Sequence, residues 1–170
     1  SALAAAQGAA VYAFEPTPDT YKRLCRTASL SKGEIIPVQK VLGDKCEEIE
    51  LFLDNSGGGS NRLHSTHKST NGRRAIESHA LSLVKVSTID QFVSENQIRK
   101  VAFIKADIEG AERYMLTGAT DTLRRFAPKL AICTYHLKDD PQVLEGIIKE
   151  ANPAYTVVYT RCKLFASVKR

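Results

Sequence analysis

Along this chain, short apolar runs alternate with longer stretches whose apolar residues recur every three or four positions. "AAVYAF" (9–14) reads as a buried strand, and "TPDTYKRLCRTASL" (17–30) as a helix. Thr17 suits its N-cap, Pro18 the first helical position and Asp19 the first turn. Tyr21, Leu24, Cys25 and Ala28 share one face. "EIIPVQKVL" (34–42) reads as a second strand, with Pro37 marking an edge position or a bulge. "EIELFL" (48–53) alternates as a half-exposed strand should.

Residues 54–80 break the pattern. This stretch is rich in Gly, Ser, Asn and His and has little apolar periodicity, which predicts a long loop or flap. Strand character returns in "LSLVKV" (81–86), followed by a short helix, "STIDQFVSENQ" (87–97), capped by Ser87 or Thr88. "VAFIKA" (101–106) reads as a buried strand, and "GAERYMLTGATDTLRRFA" (110–127) as a helix with a break near Gly118. A strand at "KLAICTY" (129–135), a helix at "DPQVLEGIIKEA" (140–151) and two strands, "YTVVYT" (155–160) and "KLFASV" (163–168), complete the chain. Strands alternating with helices predict an α/β domain with a mostly parallel sheet. The terminal strand pair predicts one antiparallel strand at an edge.

The 170 residues suffice for one domain with a full core, and 54–80 is the one expected insertion. Hydrophobic residues make up 43% and charged residues 25%, the balance of a globular protein. No run approaches the ~20 apolar residues of a membrane span, and "SALAAAQGAAVYAF" lacks the basic leader of a signal peptide. The net charge of +5 suits an anionic small molecule; the basic residues are scattered, which disfavours nucleic acid. Cys25, Cys46, Cys133 and Cys162 form no C-x-x-C pair, so free thiols in a reducing, cytoplasmic compartment are expected, with Cys133 as a core hydrophobe.

In an open α/β sheet, ligands bind beyond the carboxyl ends of the strands. Three such ends are polar: "FEPTP", "IKADIEG" and "CTYHLKDD". Glu15 ends the first strand, where an acid can accept hydrogen bonds from ribose hydroxyls or can simply be solvated. Asp107 ends the buried middle strand, with Lys105 on the same face. Glu109 and Glu112 are expected at the start of the next helix, where negative charge complements the dipole. Gly110 permits close backbone approach or a positive φ. His136 is a candidate base because imidazole titrates near neutrality. "SGGGS" (56–60) matches neither phosphate-loop pattern, and His64, His67 and His79 lack the tight pairing of structural zinc sites.

Taken together, "VYAFEPTPDTYKRL", "VLGDKCEEIELFL", "VSTIDQF", "FIKADIEGAERYMLTGATDTLRRFAPKLAICTYH" and the following "DD" resemble the FkbM family of S-adenosylmethionine-dependent methyltransferases. "IKADIEGAE" is the most specific of these stretches; the "TYH…DD" ending is typical of some members. The resemblance implies a Rossmann-like methyltransferase fold and transfer of a methyl group to a hydroxyl on a sugar or natural product. It implies cofactor contacts from Glu15 and Pro16, from Leu42, Gly43 and Asp44 beside the adenine, and from Asp107 near the methyl group and the acceptor. The family's first strand and glycine-rich loop normally precede "VYAFEP"; here only "SALAAAQGA" does, so the chain looks like a fragment whose cofactor site lacks one wall. A non-catalytic α/β module that has lost the cofactor loop is the alternative.

For the chemistry, Asp107 or His136 would take the acceptor's proton, with Glu109 as a further candidate. A divalent ion on Asp107 and Glu109 would do the same by acidifying the hydroxyl. With no third ligand in view, the metal-free version is expected.

Overall fold

The computed structural model describes residues 1–52 and 80–169. Residues 54–79 of the expected flap, including "SGGGS", His64, His67 and His79, lie outside the described residues. The chain divides into two compact units, Ser1–Val41 with Glu47–Val86, and Leu42–Cys46 with Ser87–Arg170.

In the first unit, helix α1 (Ala2–Ala6) precedes strand β1 (Val11–Phe14), helix α2 (Pro18–Leu30) and strand β2 (Ile35–Val38). β1 and β2 pair in parallel, with Ala13 opposite Pro37. Among the described residues β2 pairs only with β1, so Pro37 interrupts no second ladder there. In α2, Pro18, Tyr21, Leu24, Cys25 and Ala28 are the half-buried positions, and the last four are the predicted stripe. The apolar run 34–42 does not make one strand: β3 is a separate pair, Val41–Leu42. β4 (Glu47–Phe52) runs antiparallel to β5 (Ala80–Ser87), and a small core forms from Val41, Val84 and Val86 with Ile49 against it.

The second unit holds α3 (Ile89–Glu95), β6 (Phe103–Ala106), α4 (Glu112–Thr117), α5 (Thr120–Phe126), β7 (Lys129–Cys133), α6 (Asp140–Ala151), β8 (Tyr155–Tyr159) and β9 (Lys163–Val168). Thr88 caps α3 by accepting from the Gln91 N–H at 3.0 Å. Asp90 accepts from Asp121 and Thr122 N–H at 2.9 and 2.7 Å, supplying the cap that α5 lacks at Ala119. The predicted break at Gly118 is real. A Cβ there would lie 2.1 Å from the Gly43 carbonyl oxygen, so the backbones touch where only glycine fits.

The sheet order is β6-β7-β9-β8. Its face bearing Ala106, Leu130, Ile132, Leu164 and Ala166 packs with Met115, Leu116, Leu123, Leu144 and Ile148 of the helices. Each fully buried leucine there contributes about 1.5–3 kcal/mol. On the other face Phe103, Val158 and Phe165 remain exposed.

Three expectations need correction. The strands do not form one mostly parallel sheet. They form sheets of two, three and four strands. Among the pairings with a defined register, β1–β2 and β6–β7 are parallel, while β4–β5, β7–β9 and β8–β9 are antiparallel. Nor is the antiparallel member at the edge. The β7–α6–β8 crossover leaves one strand's width beside β7, and the tight return after Tyr159, with Thr160 N–H donating to the Lys163 carbonyl at 2.8 Å, folds β9 into it. Finally, β6 is not buried on both faces: as the edge of its sheet it exposes Phe103 and Lys105.

No helix among the described residues is long and apolar enough to cross a membrane. The four cysteines are unpaired, and Cys133 is buried as expected.

Candidate active site

The parallel register of β6 and β7 sets Ala106 opposite Ile132. The loops leaving these two strands therefore start side by side, and each carries ionisable groups. Asp107 follows β6 directly. Glu109 and Gly110 then take left-handed conformations, φ 58° and 94°. Glycine tolerates this; a glutamate there stores about 1–2 kcal/mol of backbone strain. Glu109 thus sits in a turn that precedes α4, not at the helix start where the sequence suggested it.

The turn is held from below by Glu112. Its side chain is fully buried, and its two carboxylate oxygens accept from Ile108 N–H at 2.8 Å and Gly110 N–H at 2.9 Å. The first residue of α4 therefore binds the backbone that precedes it. Its structural task is loop capping rather than dipole compensation alone.

His136 reaches the same place from the β7 side. Its Nδ1 lies 3.2 Å from Glu112 Oε1, and its Nε2 lies 3.6 Å from Glu109 Oε2 and 3.8 Å from Asp107 Oδ1. The imidazole is only 9% exposed, yet neither ring nitrogen has a hydrogen-bond partner in this arrangement. The segment carrying it is clamped to α4. Arg113 donates to Asp139 and Asp140 at 2.8 Å each, and buried Asp140 also accepts from Leu137 N–H at 2.9 Å. The two aspartates hold the Arg113 guanidinium's pKa above its ordinary value, chiefly through these hydrogen bonds.

Asp107 stands at the open side, its side chain about one-third exposed. Tyr135 hydroxyl donates to its Oδ1 at 2.8 Å, and Lys105 Nζ lies 3.8 Å from its Oδ2. Burial alone would raise the Asp107 pKa. Hydrogen bonds from Tyr135 and Cys133, with the charges of Lys105 and His136, outweigh it and leave the carboxyl below its usual range. The same bond pushes the Tyr135 phenol up to about 12. Sequence reading missed Tyr135, although its place beside His136 at a strand's carboxyl end was available as a signal. The rings of Tyr135 and His136 lie 4.1 Å apart, tilted by 38°.

Asp107, Glu109, Glu112 and His136 are thus brought together within the second unit. Glu15 belongs to the first, at the end of β1, where it is half-buried and accepts from Thr17 N–H at 2.8 Å through Oε1. Its second oxygen has no partner among the described residues, which leaves it free acceptor capacity. Pro16 is half-buried beside it. Leu42 packs against the core of the second unit, Gly43 is buried with its N–H donated to the Ser87 carbonyl at 3.0 Å, and Asp44 is exposed. A surface concavity lined by Asp90, Ser94, Gln97, Arg99, Asp121 and Arg125 shares no residue with the acidic cluster.

Residues 1–153 match the methyltransferase FkbM domain. Over 141 residues the chain is 27% identical to the hexuronic acid methyltransferase AglP of Haloferax volcanii, covering 83% of this chain and 53% of that protein. The chain thus spans about half the length of the curated relative it matches. The crystal structure of a methyltransferase FkbM from Methylobacillus flagellatus superimposes with a TM-score of 0.62 at 21% identity, over 92% of this chain and 36% of that one.

Proposed function

Because this chain belongs to the methyltransferase FkbM domain family, we propose that it is the methyltransferase domain of an enzyme that methylates a sugar hydroxyl with S-adenosylmethionine. One family match runs across both compact units, which supports reading 1–153 as parts of one domain. The observation that carries the chemistry is the convergence of Asp107 and His136 at neighbouring strand ends. A hydroxyl acceptor needs orientation and a group to receive its proton. Asp107, ionised and open to one side, takes that proton, and Tyr135 and Lys105 fix the carboxylate for it. His136 stands next in line, and Glu109 supplies further negative charge at the rim.

The residues present fit the cofactor in kind. Glu15 keeps a carboxylate oxygen for a ribose hydroxyl, Pro16 and Leu42 offer apolar surface, and Gly43 and Asp44 follow at the same turn. When bound, the cofactor supplies an electrophilic methyl carbon on a sulfonium. The acceptor is proposed to be a hexuronic acid or a similar anionic sugar. The named activity of the Haloferax relative and the net charge of +5 both support that choice.

Calorimetric titration of S-adenosylmethionine into the whole protein tests the reading. Glu15→Ala should weaken binding by about 1.5–3 kcal/mol, the worth of a charge-assisted hydrogen bond. Equal affinity for both proteins would remove Glu15 from the site, and no saturable binding to either would overturn the function.

A further inference from the structure

The acidic cluster contains a feature that proton transfer does not require. A histidine buried to nine-tenths points both ring nitrogens at carboxylates, and neither nitrogen is hydrogen-bonded. A buried polar group in that state ordinarily calls for a missing partner. The groups facing the ring are all electron-pair donors: Asp107, Glu109 and Glu112, with Tyr135 stacked alongside. Lys105 Nζ lies 3.8 Å from the other oxygen of Asp107, Oδ2.

From this arrangement we propose that Asp107, Glu112 and His136 form a binding site for one divalent transition-metal cation of the Mn²⁺ class. One donor atom from each of the three lies within 4.8 Å of the others. Glu112 Oε1 lies 3.2 Å from Nδ1 of His136 and Asp107 Oδ1 lies 3.8 Å from its Nε2, so a cation held by all three takes one of the two ring nitrogens. With metal–ligand bonds of about 2.0–2.2 Å, neighbouring donors stand ~3–4 Å apart. Glu112 Oε1 accepts one backbone N–H and retains a second lone pair for the metal. Its bonds to Ile108 and Gly110 prevent it from swinging away, which makes it the fixed corner of the site. One imidazole and two carboxylates suit Mn²⁺, Fe²⁺ or Zn²⁺ better than the oxygen-only preference of Ca²⁺. Glu109 lies outside the trio and adds charge at the opening. The remaining positions on the cation are left to water or to an acceptor hydroxyl. The second role rests on the proposed methyl transfer; the binding itself does not.

The test is titration of Mn²⁺ into the metal-stripped whole protein, followed by the electron paramagnetic resonance of the free ion. Asp107→Asn, His136→Ala and, as a control on an exposed acid, Asp121→Asn are titrated alongside, with circular dichroism to confirm folding. The proposal expects about one tight Mn²⁺ that Asp107→Asn and His136→Ala each weaken at least tenfold, since outer-shell changes alone cost ~10–100-fold. Asp121→Asn should bind as the parent does. Should His136→Ala misfold, Asp107→Asn decides alone, because that side chain is partly exposed and outside the core. The proposal is overturned if the parent binds no Mn²⁺ at millimolar concentration, or if folded Asp107→Asn binds like the parent. Tight Mn²⁺ binding without methyl transfer would keep this site and defeat the function; methyl transfer without Mn²⁺ binding would do the reverse.

Discussion

Glu112→Gln is the sharpest probe of how this site is built. The wild-type carboxylate accepts two backbone N–H groups, Ile108 on one oxygen and Gly110 on the other, inside a fully buried environment. A glutamine has the same shape but only one acceptor oxygen. Whichever way its amide turns, an NH₂ group faces one of the two backbone donors. The change therefore replaces two charge-assisted bonds by one neutral bond and strands a buried N–H. A lost bond to a charged group is worth about 1.5–3 kcal/mol and an unsatisfied buried donor ~1–3, so roughly 2–4 kcal/mol is expected after partial relaxation. For a protein of this size each kcal/mol shifts Tm by about 2–4 °C, so a fall of roughly 5–15 °C should follow. Thermal unfolding by circular dichroism, repeated with urea, measures it. Glu109→Gln, at a half-exposed position with no such bonds, should shift Tm by under ~2 °C and serves as the control. If Glu112→Gln melts with the parent, the carboxylate does not hold this turn and the description of the loop is wrong.

Asp107→Asn should lower turnover ~10²–10⁴-fold, the usual loss of a positioned base, with a melting loss limited to the small stability that this partly exposed carboxylate contributes when ionised; steady-state rates with a folded His136→Ala beside it would show which residue takes the proton. Tyr135→Phe should move the Asp107 titration upward, because it removes the hydrogen bond that favours the ionised form. Carbon-detected NMR of the side-chain carboxyl follows that shift, and an unchanged midpoint would remove Tyr135 from the site. Since the folded-state pKa of Asp107 is depressed, its contribution to stability is present above the unfolded carboxyl's pKa and is lost as pH falls through the folded value. Urea midpoints should therefore drop on the acid side of ~4, less steeply in Tyr135→Phe. Gly118→Ala should cost about 1–3 kcal/mol or more in urea unfolding, because its Cβ would overlap the Gly43 carbonyl at 2.1 Å.

What could be read from the sequence was local. The helical stripe of α2, a cap at Ser87 or Thr88, a break near Gly118 and the backbone freedom of Gly110 all follow from residues a few positions apart; the structure has the stripe and the break, takes Thr88 as the cap and gives Gly110 a positive φ. Pairing was less legible because it is settled at a distance. "VAFI" looks like the centre of a sheet, but among the described residues β6 pairs with β7 alone, and its apolar residues are partly exposed. Nothing near β9 announces that it slots between β7 and β8. The reason lies in the width of the α6 crossover. The site divides in the same way. The acids of "DIEGAE" stood out by density, but Glu112's bonds to the backbone before it depend on a turn that Glu109 and Gly110 must first make. The contact between Glu112 and His136 joins residues 24 apart and needs the β6–β7 register to exist. A third donor for the proposed metal site was not visible in the sequence for that reason.

The central claim is methyl transfer to a sugar hydroxyl, and the fate of the methyl group tests it most directly. The whole protein would be incubated with S-adenosylmethionine carrying an isotopically labelled methyl group and with hexuronic acid acceptors, and the labelled product treated with mild alkali. The account predicts label on the sugar as an alkali-stable ether, formed by the parent and nearly lost in Asp107→Asn. Label released by alkali would mark a carboxylate ester, which needs no proton acceptor. That result, or a full rate in the variant, would contradict the role given to Asp107; no transfer to any hydroxyl acceptor would contradict the function itself.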